Sequence, residues 1–141
     1  MAIILEKSFP VEAGAYTTAG EASTTIKRTL KQLGISAEVL RRVSVACYEV
    51  ELNLVIHSLG GKLVFDVDSE GVTLISEDKG PGIPDVEMAM KEGYSTANDE
   101  ARSLGFGAGM GLPNMKRNAD EFDIQSEVAV GTTIKMRFLL K

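Results

Sequence analysis

Asp78-Lys79-Gly80-Pro81-Gly82-Ile83 decides how this chain is read. It follows a strand-like run from Val72 to Ser76 and opens a glycine-rich region that ends near Gly111. An acid is followed by two glycines in the pattern D-x-G-x-G. A carboxylate at a strand end can accept a hydrogen bond from an amino group such as the exocyclic amine of adenine. Glycine lets the backbone turn sharply and come close to a flat ligand. The same hexapeptide is also what an ordinary turn looks like. Its company favours the ligand reading. Glu49 and Asn53 lie upstream on an expected helix, Gly105-Phe106-Gly107-Ala108-Gly109-Met110-Gly111 lies downstream, and Gly131-Thr132 opens the last strand.

The strand before the hexapeptide puts Val72, Leu74, Ser76 and Asp78 on one face, because successive side chains alternate. Asp78 thus continues an inward row. A buried carboxylate without a partner is costly, and a ligand is one candidate partner. Lys62 to Asp68 forms the other arm of a hairpin through Ser69-Glu70-Gly71, with Leu63, Phe65 and Val67 on its inner face. Further back, residues 2–9 read as a first strand closed by Pro10, and their imperfect alternation suits an edge position. Ala15, Ala19, Ala22, Ile26, Leu30 and Leu33 recur at helical spacing over residues 14–33, with Gly34 as the C-terminal stop. Ser36 is an expected N-cap for a longer helix to about Ser58, striped by Val39, Val43, Ala46, Cys47, Val50 and Leu54 and stopped by Gly60-Gly61.

Downstream, residues 80–110 form a long stretch rich in Gly, Ser and small polar residues, with room for one short helix at Asp85 to Lys91. Loops of this length inside a compact domain are usually functional or disordered, and this one reads as a lid. Leu112 to Asp120 then reads as a helix. Two last strands follow, Glu121 to Ser126 and Thr132 to Leu140, turning at Ala129 to Gly131. Thr132, Ile134, Met136 and Phe138 share the core face, so Thr132 is expected to look inward beside Asp78. The order β-α-α-β-β-lid-α-β-β is not a doubly wound parallel sheet. It predicts an α+β fold: two layers, a mixed and mainly antiparallel sheet with helices on one face.

The chain has 141 residues, 44% of them hydrophobic, which suits one domain over 1–141 with a real core. A net charge of −5 argues against a nucleic-acid footprint and against a polybasic membrane patch. The single cysteine, Cys47, excludes an intramolecular disulfide and a cysteine-cluster zinc site, and its apolar surroundings predict a buried, inert thiol. The apolar run at the start is too short for a signal peptide. No stretch reaches the roughly 18 apolar residues of a membrane span. Cytoplasmic location is the default expectation.

Glu49, Asn53 and His57 are spaced i, i+4, i+8 and lie along one side of the expected helix, drifting about 40° per step. Asn53 offers an amide oxygen, a hard ligand suited to magnesium, which takes few protein ligands and uses nucleotide phosphates for the rest. Glu49 can accept a proton from a hydroxyl or water attacking a γ-phosphate. The alternative is a solvated polar face with Glu49 and Glu51 among ordinary surface charges. His57 can simply complement the helix dipole. The run Gly105 to Gly111 fits a phosphate cradle ahead of a helix N-terminus, although it is no Walker A loop because no Gly-Lys-Ser/Thr follows; a flexible linker is the other reading. Lys116 and Arg117 read as solvated helix charges. Arg102 is placed to reach a γ-phosphate, and Ser95 and Thr96 to line the lid.

Taken together, Glu49-x-x-x-Asn53, Asp78-x-Gly80-x-Gly82, Gly107-x-Gly109-x-Gly111 and Gly131-Thr132 resemble, in order and spacing, the GHKL ATPases, and the resemblance covers nearly the whole chain. It implies the Bergerat fold, a helix-on-sheet sandwich that agrees with the order read above. Asp78-Lys-Gly-Pro-Gly-Ile-Pro-Asp85, Gly93-Tyr-Ser-Thr96, Gly111-Leu-Pro-Asn-Met-Lys-Arg117 and Asp120-Glu-Phe122 look like the RsbT-type switch kinases, which phosphorylate serine or threonine on small STAS-domain proteins. The sibling anti-sigma kinases share Glu-x-x-x-Asn with a His four residues on, as in Asn53 to His57. The resemblance implies ATP/ADP and Mg2+ as cofactors. Asn53 would hold magnesium and Glu49 would be the base. Asp78 would bind the adenine amine with Thr132 beside it. Gly80, Gly82 and Ile83 would shape the adenine pocket, and Gly107, Gly109 and Gly111 the phosphate lid. A STAS-domain substrate is the implied partner; a sequestered sigma factor is the alternative, and a homodimer is compatible with either. Residues 97–104 lengthen the lid relative to the shortest switch kinases, Leu52 stands before Asn53 where small residues are often found, and Glu51 adds a second acid.

Overall fold

Period-two burial in the strands and 3.6-period burial in the helices meet on one shared face. The computed structural model describes residues 3–11, 14, 20–57, 60–79, 90, 111–127 and 129–140. The elements are β1 (Ile3–Val11), α1 (Glu21–Gln32), α2 (Ala37–His57), β2 (Gly61–Asp68), β3 (Gly71–Asp78), α3 (Gly111–Asn118), β4 (Glu121–Glu127) and β5 (Gly131–Leu139). The five strands form one sheet in the order β1-β2-β3-β5-β4, and all four pairings are antiparallel. No parallel pair occurs among the described residues, so the expected mixture reduces to antiparallel pairing alone. The expected lid, and with it the short helix at residues 85–91 apart from Met90, lies outside the described residues.

β1 is an edge strand, as expected, but it does not close at Pro10. Pro10 pairs opposite Lys62 and the strand runs on to Val11. With a neighbour on only one side, an edge strand tolerates a residue that has no N–H to donate.

α1 begins at Glu21 rather than near residue 14. Gly20 immediately before it has φ +100, a left-handed conformation that cannot continue a right-handed helix. Ala15 and Ala19 lie outside the described residues. The other end of α1 follows the expected stop closely. Gly34 has φ +80 and donates to the Lys31 carbonyl, and Ile35 donates to the Leu30 carbonyl. These two bonds make a Schellman motif, and Ile35 packs on the same core as Leu30. Ser36 then caps α2: its hydroxyl accepts from the Val39 N–H at 3.4 Å.

Helix α2 packs across four of the strands as well as against α1 and α3. Val39, Val43, Ala46, Cys47, Val50 and Leu54 are buried on it, facing Leu63, Phe65, Val67, Val72, Leu74, Ile134, Met136 and Phe138 from the sheet. α1 adds Ala22, Ile26 and Leu30, and α3 adds Leu112 and Met115. The Cys47 thiol is buried here, and burial pushes its pKa up to about 12. Among the described residues, no helix is long and apolar enough to cross a membrane.

The opposite face of the sheet is polar. Arg137 on β5 reaches Asp68 with two N–H groups, at 2.7 and 2.9 Å, and Thr73 at 2.9 Å. Asp68 also accepts from the N–H groups of Glu70 and Gly71, fixing the β2–β3 turn. Asp120, just after α3, accepts from the Leu139 N–H at 2.7 Å and from Arg42 of α2 at 3.2 Å. Arg42 also donates to the Asn118 carbonyl at the C-terminal end of α3. α3 is thereby pinned between α2 and the sheet.

Glu51 corrects the reading of a solvated acidic face. It is 3% exposed, and its carboxylate accepts from the N–H groups of Ala22 and Ser23 and from the Ser23 hydroxyl. Gly20 provides no side-chain cap for α1. Glu51 therefore caps that helix from a neighbouring one, a carboxylate at a helix N-terminus where the dipole favours it.

Candidate functional site

Asp78 closes β3 at a place where three strand ends converge. Gly61 at the start of β2 pairs opposite it, and Gly131 at the start of β5 lies against its carbonyl. A side chain at Gly61 would meet the Glu77 carbonyl oxygen, and one at Gly131 would meet that of Asp78. These two glycines are there because the backbones approach too closely for a Cβ. Lys79 then donates its N–H to the Gly60 carbonyl at 3.0 Å, which holds the chain as it leaves the strand.

Within this corner, Asp78 and Thr132 meet as expected. The Thr132 N–H donates to Asp78 Oδ1 at 2.9 Å. Asp78 is half-buried; burial raises its pKa, and the Thr132 N–H partly offsets the rise. Its second oxygen, Oδ2, has no hydrogen-bond partner among the described residues. The buried Thr132 hydroxyl lies 2.8 Å from the Ser126 hydroxyl on β4. Ser126 was not singled out in the sequence. The signal was available: Ser126 stands opposite Thr132 across the β4–β5 turn, and hydroxyls in directly opposed positions reach each other.

Glu49 and Asn53 sit one turn apart on α2, flanking the buried positions Val50 and Leu54. Glu49 is half-buried. Burial raises its pKa, and a hydrogen bond with the Asn114 side chain of α3 partly offsets the rise. The Asn53 side chain is half-buried too, and its amide has no partner among the described residues. The alternative of ordinary surface charges is set aside for Glu51, which is buried, while Glu49 is partly withdrawn from water. His57 is the last residue of α2, with its side chain outside the described set. Gly80, Gly82, Ile83, Ser95, Thr96, Arg102, Gly107 and Gly109 also lie outside it. Gly111 is the first residue of α3. Lys116 and Arg117 are exposed, as read, although Arg117 also donates to Asn114 Oδ1 at 3.1 Å.

A strand-end carboxylate set among close-packed glycines, and an acid and an amide on one helix, are the parts a nucleotide site needs. Comparison with known proteins gives the same direction. Residues 13–138 match the histidine kinase-like ATPase domain family. The chain is 34% identical over 113 residues to a protein named serine/threonine-protein kinase RsbT from Bacillus subtilis, covering 77% of this chain and 79% of that one. It is 32% identical over 126 residues to an anti-sigma F factor of Clostridium novyi, covering 85% of each. An anti-sigma F factor of Caldanaerobacter subterraneus is 31% identical over 121 residues, covering 82% of this chain and 80% of its own. With the fold, the order of the motifs and the length of the match in agreement, the chain belongs to the histidine kinase-like ATPase family.

Proposed function

We propose that the protein is an ATP-dependent serine/threonine protein kinase of a partner-switching system, acting on a serine or threonine of a small STAS-domain protein. The observation that carries this reading is Glu49. Its carboxylate is half-buried, burial raises its pKa, and it lies one turn from the Asn53 amide, which has no partner among the described residues. A base works best when its pKa is lifted toward the operating pH. The similarity to a protein named as a serine/threonine kinase supports the same reading.

In this proposal Asp78 Oδ2 accepts the adenine amine while Oδ1 stays bonded to the Thr132 N–H. Gly80, Gly82 and Ile83 complete the adenine wall, and Gly107, Gly109 and Gly111 approach the phosphates. Asn53 offers one hard oxygen, which fits magnesium because that ion takes few protein ligands beside water and phosphate. Bound there, magnesium would neutralise charge on the phosphate oxygens. Glu49 takes the proton of the substrate hydroxyl as that oxygen attacks the γ-phosphorus. The bond from phosphorus to the bridging oxygen breaks, the phosphoryl group ends on the substrate, and ADP departs. The proton remains on Glu49 until water removes it.

A second reading is a sigma-binding anti-sigma factor with nucleotide-gated release, supported by the names of two of the relatives. An apolar surface on the first helices would favour it. Leu33 and Tyr48 are exposed there, by 45% and 40%. Tyr48 lies against Gly20 at the start of α1, whereas Leu33 follows its far end. Twelve helical residues, about 18 Å, separate them, so they do not form one patch. The kinase reading leads because of the similarity to a protein named as a serine/threonine kinase. One nucleotide-binding unit over 1–141, alone or as a homodimer in the cytoplasm, completes it.

The test is phosphoryl transfer from γ-labelled ATP, with magnesium, to a panel of STAS-domain proteins from the source organism. Label on serine or threonine of one of them, absent with Glu49→Ala, is the expected result. No labelled acceptor, together with a sigma factor held in a nucleotide-dependent complex, would replace the kinase reading by the anti-sigma one.

A further inference from the structure

Across the inner face of β3, β5 and β4, Leu74, Met136 and Phe122 make one row, and Ser76, Ile134 and Ile124 make the next. The row after that, at the end of β3, is Asp78, Thr132 and Ser126, polar throughout. Hydrogen bonds join it from end to end. The Thr132 N–H donates to Asp78 Oδ1 at 2.9 Å, and the Thr132 and Ser126 hydroxyls lie 2.8 Å apart. The Ser126 hydroxyl also reaches the Gly131 carbonyl at 3.4 Å.

A hydroxyl both donates and accepts, whereas a carbonyl only accepts. The hydroxyl pair can therefore point either way. In one setting Ser126 donates to Thr132, and the Thr132 proton is directed at an acceptor on a ligand. In the other, a donor on the ligand bonds to the Thr132 oxygen, Thr132 donates to Ser126, and the Ser126 proton turns toward the Gly131 carbonyl. Thr132 is buried, so its hydroxyl depends on such partners rather than on bulk water. The Asp78 carboxylate has no such choice, because when ionised it only accepts. The two kinds of purine edge differ in the same terms. Adenine presents its amine, a donor, beside the acceptor N1. Hypoxanthine presents O6, an acceptor, beside a donating N1–H.

We propose that Ser126 is a positioning residue that makes the Thr132 hydroxyl reversible toward the base, so that Asp78 alone sets the choice of an adenine nucleotide over a 6-oxopurine one. This rests on the nucleotide corner of the reading above. Asp78→Asn then converts the preference, because its amide keeps an oxygen for the Thr132 N–H and turns an N–H to O6, while the hydroxyl pair reverses to meet N1–H.

The test is calorimetric titration with ADP and with inosine diphosphate, magnesium present. Wild type should prefer ADP by about tenfold or more, and Asp78→Asn should prefer inosine diphosphate. Adding Ser126→Ala or Ser126→Val to Asp78→Asn strands the Thr132 proton when N1–H is bound. Either change should lower inosine diphosphate affinity there about fivefold more than it lowers ADP affinity in the protein with Asp78 intact. Ser126→Thr keeps the hydroxyl and should retain inosine diphosphate binding. Equal losses for the two nucleotides would mark a merely structural role and overturn the inference. So would an Asp78→Asn protein that still prefers ADP or binds neither nucleotide, with the wild-type ADP site left standing. A wild type that binds no ADP removes the nucleotide reading and this inference with it. If Ser126→Ala unfolds, the valine and threonine variants, alike in shape and different in the hydroxyl, carry the decision.

Discussion

Glu51 Oε1 accepts two hydrogen bonds from Ser23, one from its N–H at 2.9 Å and one from its hydroxyl at 2.6 Å, across 28 residues of sequence. Oε2 accepts from the Ala22 N–H at 3.2 Å. The start of α1 thus depends on a side chain of α2, and the two helices are tied at the end where α1 lacks a cap of its own. Glu51→Ala leaves these donors buried and unpaired, at a cost of roughly 1–3 kcal/mol for each group stranded. We expect urea unfolding to show a loss of about 3 kcal/mol, with Glu51→Gln losing less because it keeps one acceptor oxygen. A loss below about 0.5 kcal/mol for Glu51→Ala would mean that water or backbone replaces the cap.

Asp78→Asn tests the nucleotide corner. The amide keeps an oxygen for the Thr132 N–H, so the apo protein should melt close to wild type. It presents an N–H where the adenine amine would need an acceptor. At about 100 times its Kd, ATP should stabilise the wild type by about 2.7 kcal/mol, and this increment should vanish in the variant. An undiminished nucleotide shift would take Asp78 out of the adenine site.

Glu49→Ala should bind nucleotide and fail to transfer phosphate. The pH profile of the wild type carries the same information. Glu49 must be ionised to act as a base, and burial raises its pKa. Transfer should therefore be lost as pH falls through a value above the ordinary glutamate pKa of about 4.3. An acid limb at or below that value would show that another group accepts the proton.

Asp68 and Arg137 govern acid stability. The Arg137 guanidinium, and then the Glu70 and Gly71 N–H groups, hold the Asp68 carboxyl well below the usual carboxylate range. A depressed carboxylate stabilises the fold above its unfolded pKa of about 3.9, and the contribution disappears as pH falls through the folded value. Asp66 has the opposite sign: burial, then the nearby charges of Asp68 and Glu6, raise its pKa, so its protonation is favoured by folding. Asp68→Asn should be less stable than wild type at pH 7 and should lose less further stability below about pH 4. Urea midpoints between about pH 3 and 7 measure both; parallel curves for the two proteins would refute the assignment.

Periodicity made the inner face of the sheet legible. Alternation placed Asp78 and Thr132 in inward rows, and adjacent strands brought them together. Gly34 and Ser36 were legible because each acts on residues within five positions of itself. The capping role of Glu51 was not legible because the donors it serves come from another helix, 28 and 29 residues earlier. Asn114 was quoted within a motif, yet its contact with Glu49 depends on how α3 packs on α2, which no local pattern specifies. The start of α1 was set too early because alanines at helical spacing continue through Gly20, whose left-handed backbone the spacing does not reveal. Pro10 was read as a stop when its place at an edge made it a tolerable member of the strand.

Cys47 also makes the protein its own stopwatch. It is the chain's only thiol, is buried between α1 and α2, and has a pKa pushed up to about 12. An alkylating reagent needs both access and the thiolate, and the closed molecule offers neither. Modification therefore requires an excursion that exposes the thiol. When reclosing outpaces alkylation, the labelling rate measures how far the open form is populated, at one site and without a mutation. Compared with and without nucleotide, it reads out how far a ligand bound beyond the β3 corner quiets the helical layer behind it.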